Sequence, residues 1–298
     1  MVQIAQLVPD IYNIEHSGGH ASRCSVYLIA GETGLLFDTG PSSQVPGILE
    51  ALRSIDYNPE RIAYIVASHL HADHAGGAGF LAQQLPQARV VAHEQGAHHL
   101  AEPSRLIAGS RQAYGEIFDT EFGPIVPVAR EQLMVVKGGE RLDLGDRAVE
   151  LLYTPGHSLN SLCLYDPASR GLFCGDSVGN HLGGKVIIPQ AFPTQFDLET
   201  ALETIDRLES LGPNILCPAH FGPVRDVALM FRTARESLLT WRDVALKALK
   251  AGEPDEAIVA RFRSLVGEAT HYEPAALRTL LELVVEGYRL YFRRKGLL

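Results

Sequence analysis

The chain holds no run of eighteen apolar residues, so no segment is long enough to cross a bilayer as a helix, and no membrane partner is expected. It has no basic cluster before Arg293-Arg294-Lys295, and the formal net charge is -9 over 298 residues. That balance excludes an electrostatic grip on phosphate backbones, so no nucleic acid is expected either. The opening stretch MVQIAQLVPDIYNI lacks a basic region followed by an apolar core, which points to a cytoplasmic location. Cysteine is scarce. Cys24, Cys163, Cys174 and Cys217 lie far apart, three of them in or beside strand-like runs, and read as reduced core residues. Low-complexity tracts and fixed-period repeats are absent as well. With 46% hydrophobic and 20% charged residues, what is there is a folded, enzyme-sized chain suited to a small-molecule substrate.

Short strand-like runs separated by turn signals occupy residues 4 to about 40, with a hairpin turn at Gly31 to Gly34. Val45, Ile48, Leu49, Leu52 and Ile55 then fall at helical spacing, and RIAYIVASH reads as a buried strand. A helix begins within GGAGFLAQQLP, and ARVVAHE is the next strand. The polar, poorly periodic stretch from about 95 to 130 reads as a lid or insertion. Strands resume at QLMVVKG, AVELLYTPGH, SLCLYDP and GLFCGD. A helix follows over roughly 197 to 211 with Asp197 as its N-cap, and NILCPAH is a further strand.

After Gly222 the composition turns helical over 226–250, 254–266 and 274–295, with Pro254 and Pro274 near two of the starts. The last helix carries a broad apolar stripe, from Leu277 and Leu280 to Tyr291 and Phe292. That stripe has to pack on the sheet domain, on a ligand or on another chain, so a homodimer through these helices is one expectation. The division expected is a sheet-based domain over 1–225 and a helical C-terminal extension over 226–298.

The segment ASHLHADHAGG, residues 67–77, places His69, His71, Asp73 and His74 within six positions, directly after an apolar run. Alternate residues of an extended segment point the same way, so His69 and His71 can converge on one ion; Asp73 and His74 lie past the bend and can face a second. Zinc, iron or manganese in such N/O surroundings needs further ligands. Three more ends of apolar runs deliver His157, Asp176 and His220. His16, His20, His93, His98, His99, His181 and His271 carry no such pattern, although His181, soon after Asp176, is the best of them for a substrate contact.

His69-x-His71-x-Asp73-His74, followed by His157, Asp176 and His220, resembles the metallo-β-lactamase superfamily, and within it the glyoxalase II-like hydrolases, over about residues 5 to 225. The resemblance implies an α/β (α+β) fold, the αβ/βα four-layer sandwich, with two mixed sheets face to face and a dinuclear site at one edge. It implies that His69, His71 and His157 hold a first metal, that Asp73, His74 and His220 hold a second, and that Asp176 bridges them. Asp38, in LLFDTG, matches the superfamily's acid beneath the ligand loop. The implied cofactor is two divalent ions, zinc first and iron or manganese as alternatives. The implied activity is hydrolysis by metal-bound hydroxide, with Asp73 as the catalytic proton acceptor. The 83-position step from His74 to His157, together with the helical extension, looks like the quinolone-signal-response thioesterase and related hydrolases, so an ester or thioester is the expected substrate. Two departures stand out. The basic glutathione-binding residues of true glyoxalase II have no counterpart in the tail, and the tyrosine that lactonases carry three residues after the bridging aspartate is Gly179 here.

Other readings compete. Gly175-x-Ser177-x-Gly179 matches a serine-hydrolase elbow, which needs a helix directly after the serine, whereas the sequence there is glycine-rich and strand-like. Asp38-Thr39-Gly40 matches the aspartic-protease triplet, but occurs once where two are needed. A mononuclear-iron persulfide dioxygenase, a lactonase, a phosphodiesterase and a non-catalytic metal-binding regulator remain open. Tyr114, Phe118, Phe122, Phe192 and Phe196 could roof the site, though aromatic residues also serve ordinary packing.

Overall fold

The computed structural model describes residues 2–16, 24–182, 186–267 and 272–298. A seven-stranded sheet runs in chain order: β1 (Val2–Val8), β2 (Ile11–His16), β3 (Ser25–Ala30), β4 (Gly34–Phe37), β5 (Ile62–Val66), β6 (Arg89–His93) and β7 (Leu133–Val136). Its first four strands pair antiparallel, with β3 and β4 joined around the Gly31–Gly34 turn. The joins from β4 to β7 are parallel and so require crossovers. These are supplied by α1 (Val45–Ser54), by α2 (Ala72–Ala75) with α3 (Ala78–Gln84), and by α4 (His98–Ala101) with α5 (Ser104–Tyr114).

A second sheet contains β8 (Arg141–Asp143), β9 (Ala148–Tyr153), β10 (Leu162–Asp166) and β11 (Gly171–Gly175). A separate hairpin, β12 (Asn180–Leu182) with β13 (Val186–Ile188), and helix α6 (Leu198–Ser210) lead to β14 (Ile215–Pro218), which pairs parallel with β11. The sheet order is β14-β11-β10-β9-β8. Three long helices close the chain: α7 (Val227–Lys250), α8 (Asp255–Val266) and α9 (Pro274–Arg294).

Period-two alternation builds the layers. On β3, Tyr27 and Ile29 point into the core between the sheets, where they meet Leu151, Leu164 and Phe173 of the second sheet. Val26 and Leu28 point the other way, onto α1 and α3 through Ile48, Leu52 and Leu81. The outer face of the second sheet is covered by α6 to α9 in the largest apolar cluster, which includes Trp241, Phe262 and Tyr288. The result is a helix–sheet–sheet–helix sandwich.

The C-terminal helices begin and end within a residue or so of the ranges their apolar spacing and prolines indicate, and Asp197 does cap α6, accepting from the Thr200 backbone N–H at 3.1 Å. The apolar stripe of α9 is buried within this one chain: Leu277, Leu281, Val284, Val285, Tyr288 and Phe292 join the cluster with α7 and α8. All four cysteines are buried and free. Among the described residues, no helix is long and apolar enough to cross a membrane.

Candidate metal centre

Five strands run out at one edge of the sandwich, and each delivers polar side chains there. Asp38 follows β4; His69 and His71 follow β5; α2, a single turn, carries Asp73 and His74; His157, Asp176 and His220 follow β9, β11 and β14. The His loop is pinned from the second sheet, since Leu162 N–H donates to the Ser68 carbonyl at 2.7 Å and Leu70 N–H to Asn160 Oδ1 at 2.9 Å. Gly175 is required where it stands: its φ is +50°, and a Cβ there would come within 2.8 Å of Ser68 Cβ.

The donors form two buried groups, one of His69, His71, His157 and Asp176, the other of Asp73, His74 and His220. In the first, His69 Nε2 lies 2.9 Å from His71 Nδ1 and 3.1 Å from His157 Nε2, with His157 Nε2 3.2 Å from His71 Nδ1. Donors on a tetrahedral ion at about 2.0–2.1 Å stand about 3.3 Å apart, so this triangle has the size an ion needs. Asp176 reaches both groups. Its Oδ2 is 3.9 Å from His69 Nε2, 3.7 Å from His157 Nε2 and 3.5 Å from His74 Nε2, while its Oδ1 is 3.3 Å from His220 Nε2. Asp73 Oδ2 lies 3.4 Å from His74 Nε2 and 3.7 Å from His220 Nε2.

Outer hydrogen bonds decide which imidazole nitrogens carry protons. His157 Nδ1–H donates to the Gln190 carbonyl at 2.6 Å, because a carbonyl can only accept. Ser68 Oγ gives its proton to Asp38 Oδ2 at 3.0 Å, so it accepts from His69 Nδ1–H at 3.1 Å. His69 Nε2 and His157 Nε2 are therefore both bare lone pairs, 3.1 Å apart in a buried site. Two lone pairs at that distance repel unless a cation lies between them. His74 Nδ1–H donates to Asp38 Oδ2 at 3.1 Å, which turns its Nε2 toward Asp73 and Asp176. His74 Nε2 and Asp176 Oδ1 are buried with no hydrogen-bond partner, which coordination would satisfy.

Burial pushes the imidazoles of His69 and His157 down, and His71 down to about 3, so the first group is neutral and ready for an ion at pH 7. Burial would also lower His74, but the Asp73, Asp176 and Asp38 carboxylates outweigh it and hold His74 well above the usual histidine range. Asp176, against the cost of burial, is held well below the usual carboxylate range by His74 and His220. The residues present fit a pair of divalent ions by donor type and spacing, the second group taking its ion in exchange for the His74 proton.

The superfamily described as metallo-beta-lactamase matches residues 21–220. The chain belongs to the metallo-beta-lactamase superfamily. This superfamily member is 28% identical over 205 residues to the metallo-beta-lactamase fold-containing protein ST1585 of Sulfurisphaera tokodaii, covering 67% of this chain and 73% of that one. It is 29% identical over 272 residues to the acyl-coenzyme A thioesterase MBLAC2 of Gallus gallus, covering 84% and 87%. The crystal structure of the metallo-beta-lactamase family protein TTHA1429 of Thermus thermophilus has the same fold, with a TM-score of 0.73 at 21% identity over 98% of this chain and 95% of that one.

Among the described residues, two cavities large enough for ligand atoms meet the metallo-beta-lactamase centre, besides a gap of about 20 Å³ at His157 and Asp176 that Phe196 helps to line. A cleft of about 600 Å³ reaches His71 and His157 and is walled by α5, the loop 192–195 and α9. A smaller cavity of about 60 Å³ reaches Asp73 and His220. The stretch from about 95 to 130 thus flanks the site through α5. Of the aromatic residues expected over the site, Tyr114 and Phe192 line both cavities and Phe122 the smaller one. Phe118 is buried against Phe122, and Phe196 packs on Tyr288 and Tyr291.

His181 Nε2–H donates to the Gly222 carbonyl at 3.1 Å; the ring is buried and lines neither cavity. His20 and His271 lie outside the described residues. The serine-hydrolase reading fails on geometry: strand β12, not a helix, follows Ser177, whose hydroxyl donates to Thr154 Oγ1 at 3.3 Å. Ser68, the Gln190 carbonyl, Tyr272 and the α9 wall residues Ala276 and Leu283 were not singled out by sequence. Only Ser68, adjacent to His69, had a positional signal.

Proposed function

We propose that the chain is a metal-dependent hydrolase of carboxylic esters or thioesters, working with two divalent ions, zinc first and iron or manganese as the alternatives the same donors accept. The carrying observation is the pair of His/Asp groups that share Asp176 beneath a cleft whose walls mix apolar with polar side chains. In this reading His69, His71 and His157 would hold one ion and Asp73, His74 and His220 the other, with the Asp176 carboxylate within reach of both groups. Asp38 orients His74. Divalent ions at such a centre supply Lewis acidity and a water acidic enough to ionise near neutral pH.

The chain's own part is to place the substrate carbonyl against the centre and to move a proton. Water adds to the carbonyl carbon and gives up one proton, the carbon–oxygen or carbon–sulfur bond breaks, and the departing alkoxide or thiolate takes a proton up. Asp73 is the group that accepts that proton and passes it on. Although burial opposes it, the His74 and His220 rings hold its carboxyl well below the usual range, so it is ionised at neutral pH. The name of the Gallus gallus relative, an acyl-coenzyme A thioesterase, supports the thioester side of the proposal. The long interval between His74 and His157 and the helices α7–α9 support a place among the glyoxalase II-like enzymes.

Elemental analysis of gently purified protein tests the centre, with His71→Ala and His220→Ala beside it. Two ions per chain, with one lost in each variant, supports the proposal and leads to a screen of esters, thioesters, lactones and phosphodiesters. A single iron indifferent to His220→Ala would favour the mononuclear oxygenase instead.

A further inference from the structure

Helix α9 has more apolar surface than the core uses. Leu277, Leu281, Val284, Val285 and Tyr288 face the core cluster; Leu280, at the edge of that cluster, also lines the smaller cavity, with Ala276 and Leu283 four residues before and three after it. Ile117 and Phe122 form more of its lining, and its floor is Asp73 and His220. The cleft on the other side of the centre differs in character. It is some ten times larger, with His71 and His157 at its floor and Arg105, Gln112, Asn160, Gln195 and Glu286 among its walls. Tyr114, Phe192 and Leu283 belong to both linings, so the two spaces meet at a waist beside the centre.

We infer that the centre sorts its substrate by side: a short, unbranched acyl group enters the small cavity over Asp73 and His220, and the larger, polar leaving group lies in the cleft over His71 and His157. The inference rests on the hydrolase proposal and deepens it. A space of about 60 Å³, a tenth of the cleft, leaves room for only a short tail, on the order of two or three carbons beyond the carbonyl. Within that limit each methylene that leaves water raises kcat/KM about fourfold; beyond it the tail has no room. Ala276 and Leu280 set the depth.

Two isomeric thioesters, S-octyl thioacetate and S-ethyl octanethioate, test the sidedness on the unmodified, two-metal protein. They carry the same atoms and alkanethiols of like acidity, with the long chain on opposite sides of the carbonyl. We expect the thioacetate to have at least about tenfold higher kcat/KM. Among S-ethyl thioesters the optimum falls near butanoyl; Ala276→Leu lowers the butanoyl-to-acetyl ratio about tenfold, and Leu280→Ala moves the optimum to longer chains. Product binding gives a readout free of turnover: butyrate raises the Tm of the metal-loaded protein more than octanoate does, and Ala276→Leu removes the difference. Equal or reversed rates for the isomers overturn the sidedness and leave the hydrolase standing. Turnover of no ester or thioester by protein holding two ions overturns both.

Discussion

Asp38 decides which nitrogen of His74 faces the centre. It sits after β4 with φ of 63°, fully buried, and its two oxygens receive Ser68 N–H, Ser68 Oγ–H and His74 Nδ1–H. Through Ser68 the same carboxylate also sets the tautomer of His69, so one residue orients a ring in each group. Asp38→Ala is expected to weaken metal binding about 10- to 100-fold, measured by competition with a chromophoric chelator, the usual cost of losing a partner behind a metal-binding imidazole. Unchanged affinity would remove the positioning role. Asp73 acts at the centre itself, and Asp73→Ala is expected to lower turnover by at least about two orders of magnitude in the substrate screen. Full activity in that variant would refute its assignment as proton acceptor.

At the scale of elements, α6 and α9 tie the helical layer to the site. Asp197 caps α6 and meets Lys295 Nζ from the end of α9 at 3.0 Å. Burial alone would raise the Asp197 carboxyl; the Thr200 N–H and the Lys295 ammonium outweigh it and hold the group below the ordinary range. A depressed carboxyl stabilises the fold above its unfolded pKa of about 3.9, and that contribution is lost as pH falls through the folded value. Asp197→Ala should therefore cost about 1 kcal/mol at pH 7 and less near pH 3, read from urea melts. Equal losses at both pH values would show that the charge adds nothing. Gly287 lets α9 approach the loop behind His157: a Cβ there would stand 1.7 Å from the Ala191 carbonyl oxygen, next to the Gln190 carbonyl that holds His157 Nδ1–H. Gly287→Ala is expected to cost about 1–3 kcal/mol by overpacking and to weaken the ion bound by His157, which calorimetry and a zinc titration would measure together. Tight zinc binding despite a lowered Tm would separate the helix contact from the ligand.

The long helices were legible because their apolar faces repeat every 3.6 residues over many turns. The strand-like reading after Ser177 is met by β12 and β13; by contrast β8 has three residues, too few for a period of two to emerge, and α5 buries only Ser110, its apolar side facing the cleft. The candidate ligands were legible because each ends an apolar run. Ser68, Gln190 and Ala276 act by a hydroxyl, a main-chain carbonyl and a small side chain, and only tertiary placement gives those a role.

Across the whole molecule, the centre is a clasp between sheets. His69, His71, Asp73 and His74 extend from the first sheet; His157, Asp176 and His220 extend from the second, with the inner apolar layer of Tyr27, Phe37 and Phe173 behind them. Removing ions leaves buried lone pairs facing each other and buried carboxylates whose opposing charge is incomplete, a costly arrangement in the folded state alone. The apolar stripe of α9 is already covered within the chain, so no second copy is needed to bury it. Stability should then depend on the ions more than on assembly. An ion present at about 1,000 times its Kd adds about 4 kcal/mol, and at about 2–4 °C per kcal/mol for chains of this order of size, each ion contributes on the order of 10 °C to Tm. Chelation is expected to lower Tm by about that amount per ion, with recovery on adding zinc. In His220→Ala, where only the first group is complete, the chelator-sensitive part should fall to about half. A Tm indifferent to chelator in the unmodified protein would mean that the two sheets are held by apolar packing alone, and the clasp would have to be abandoned.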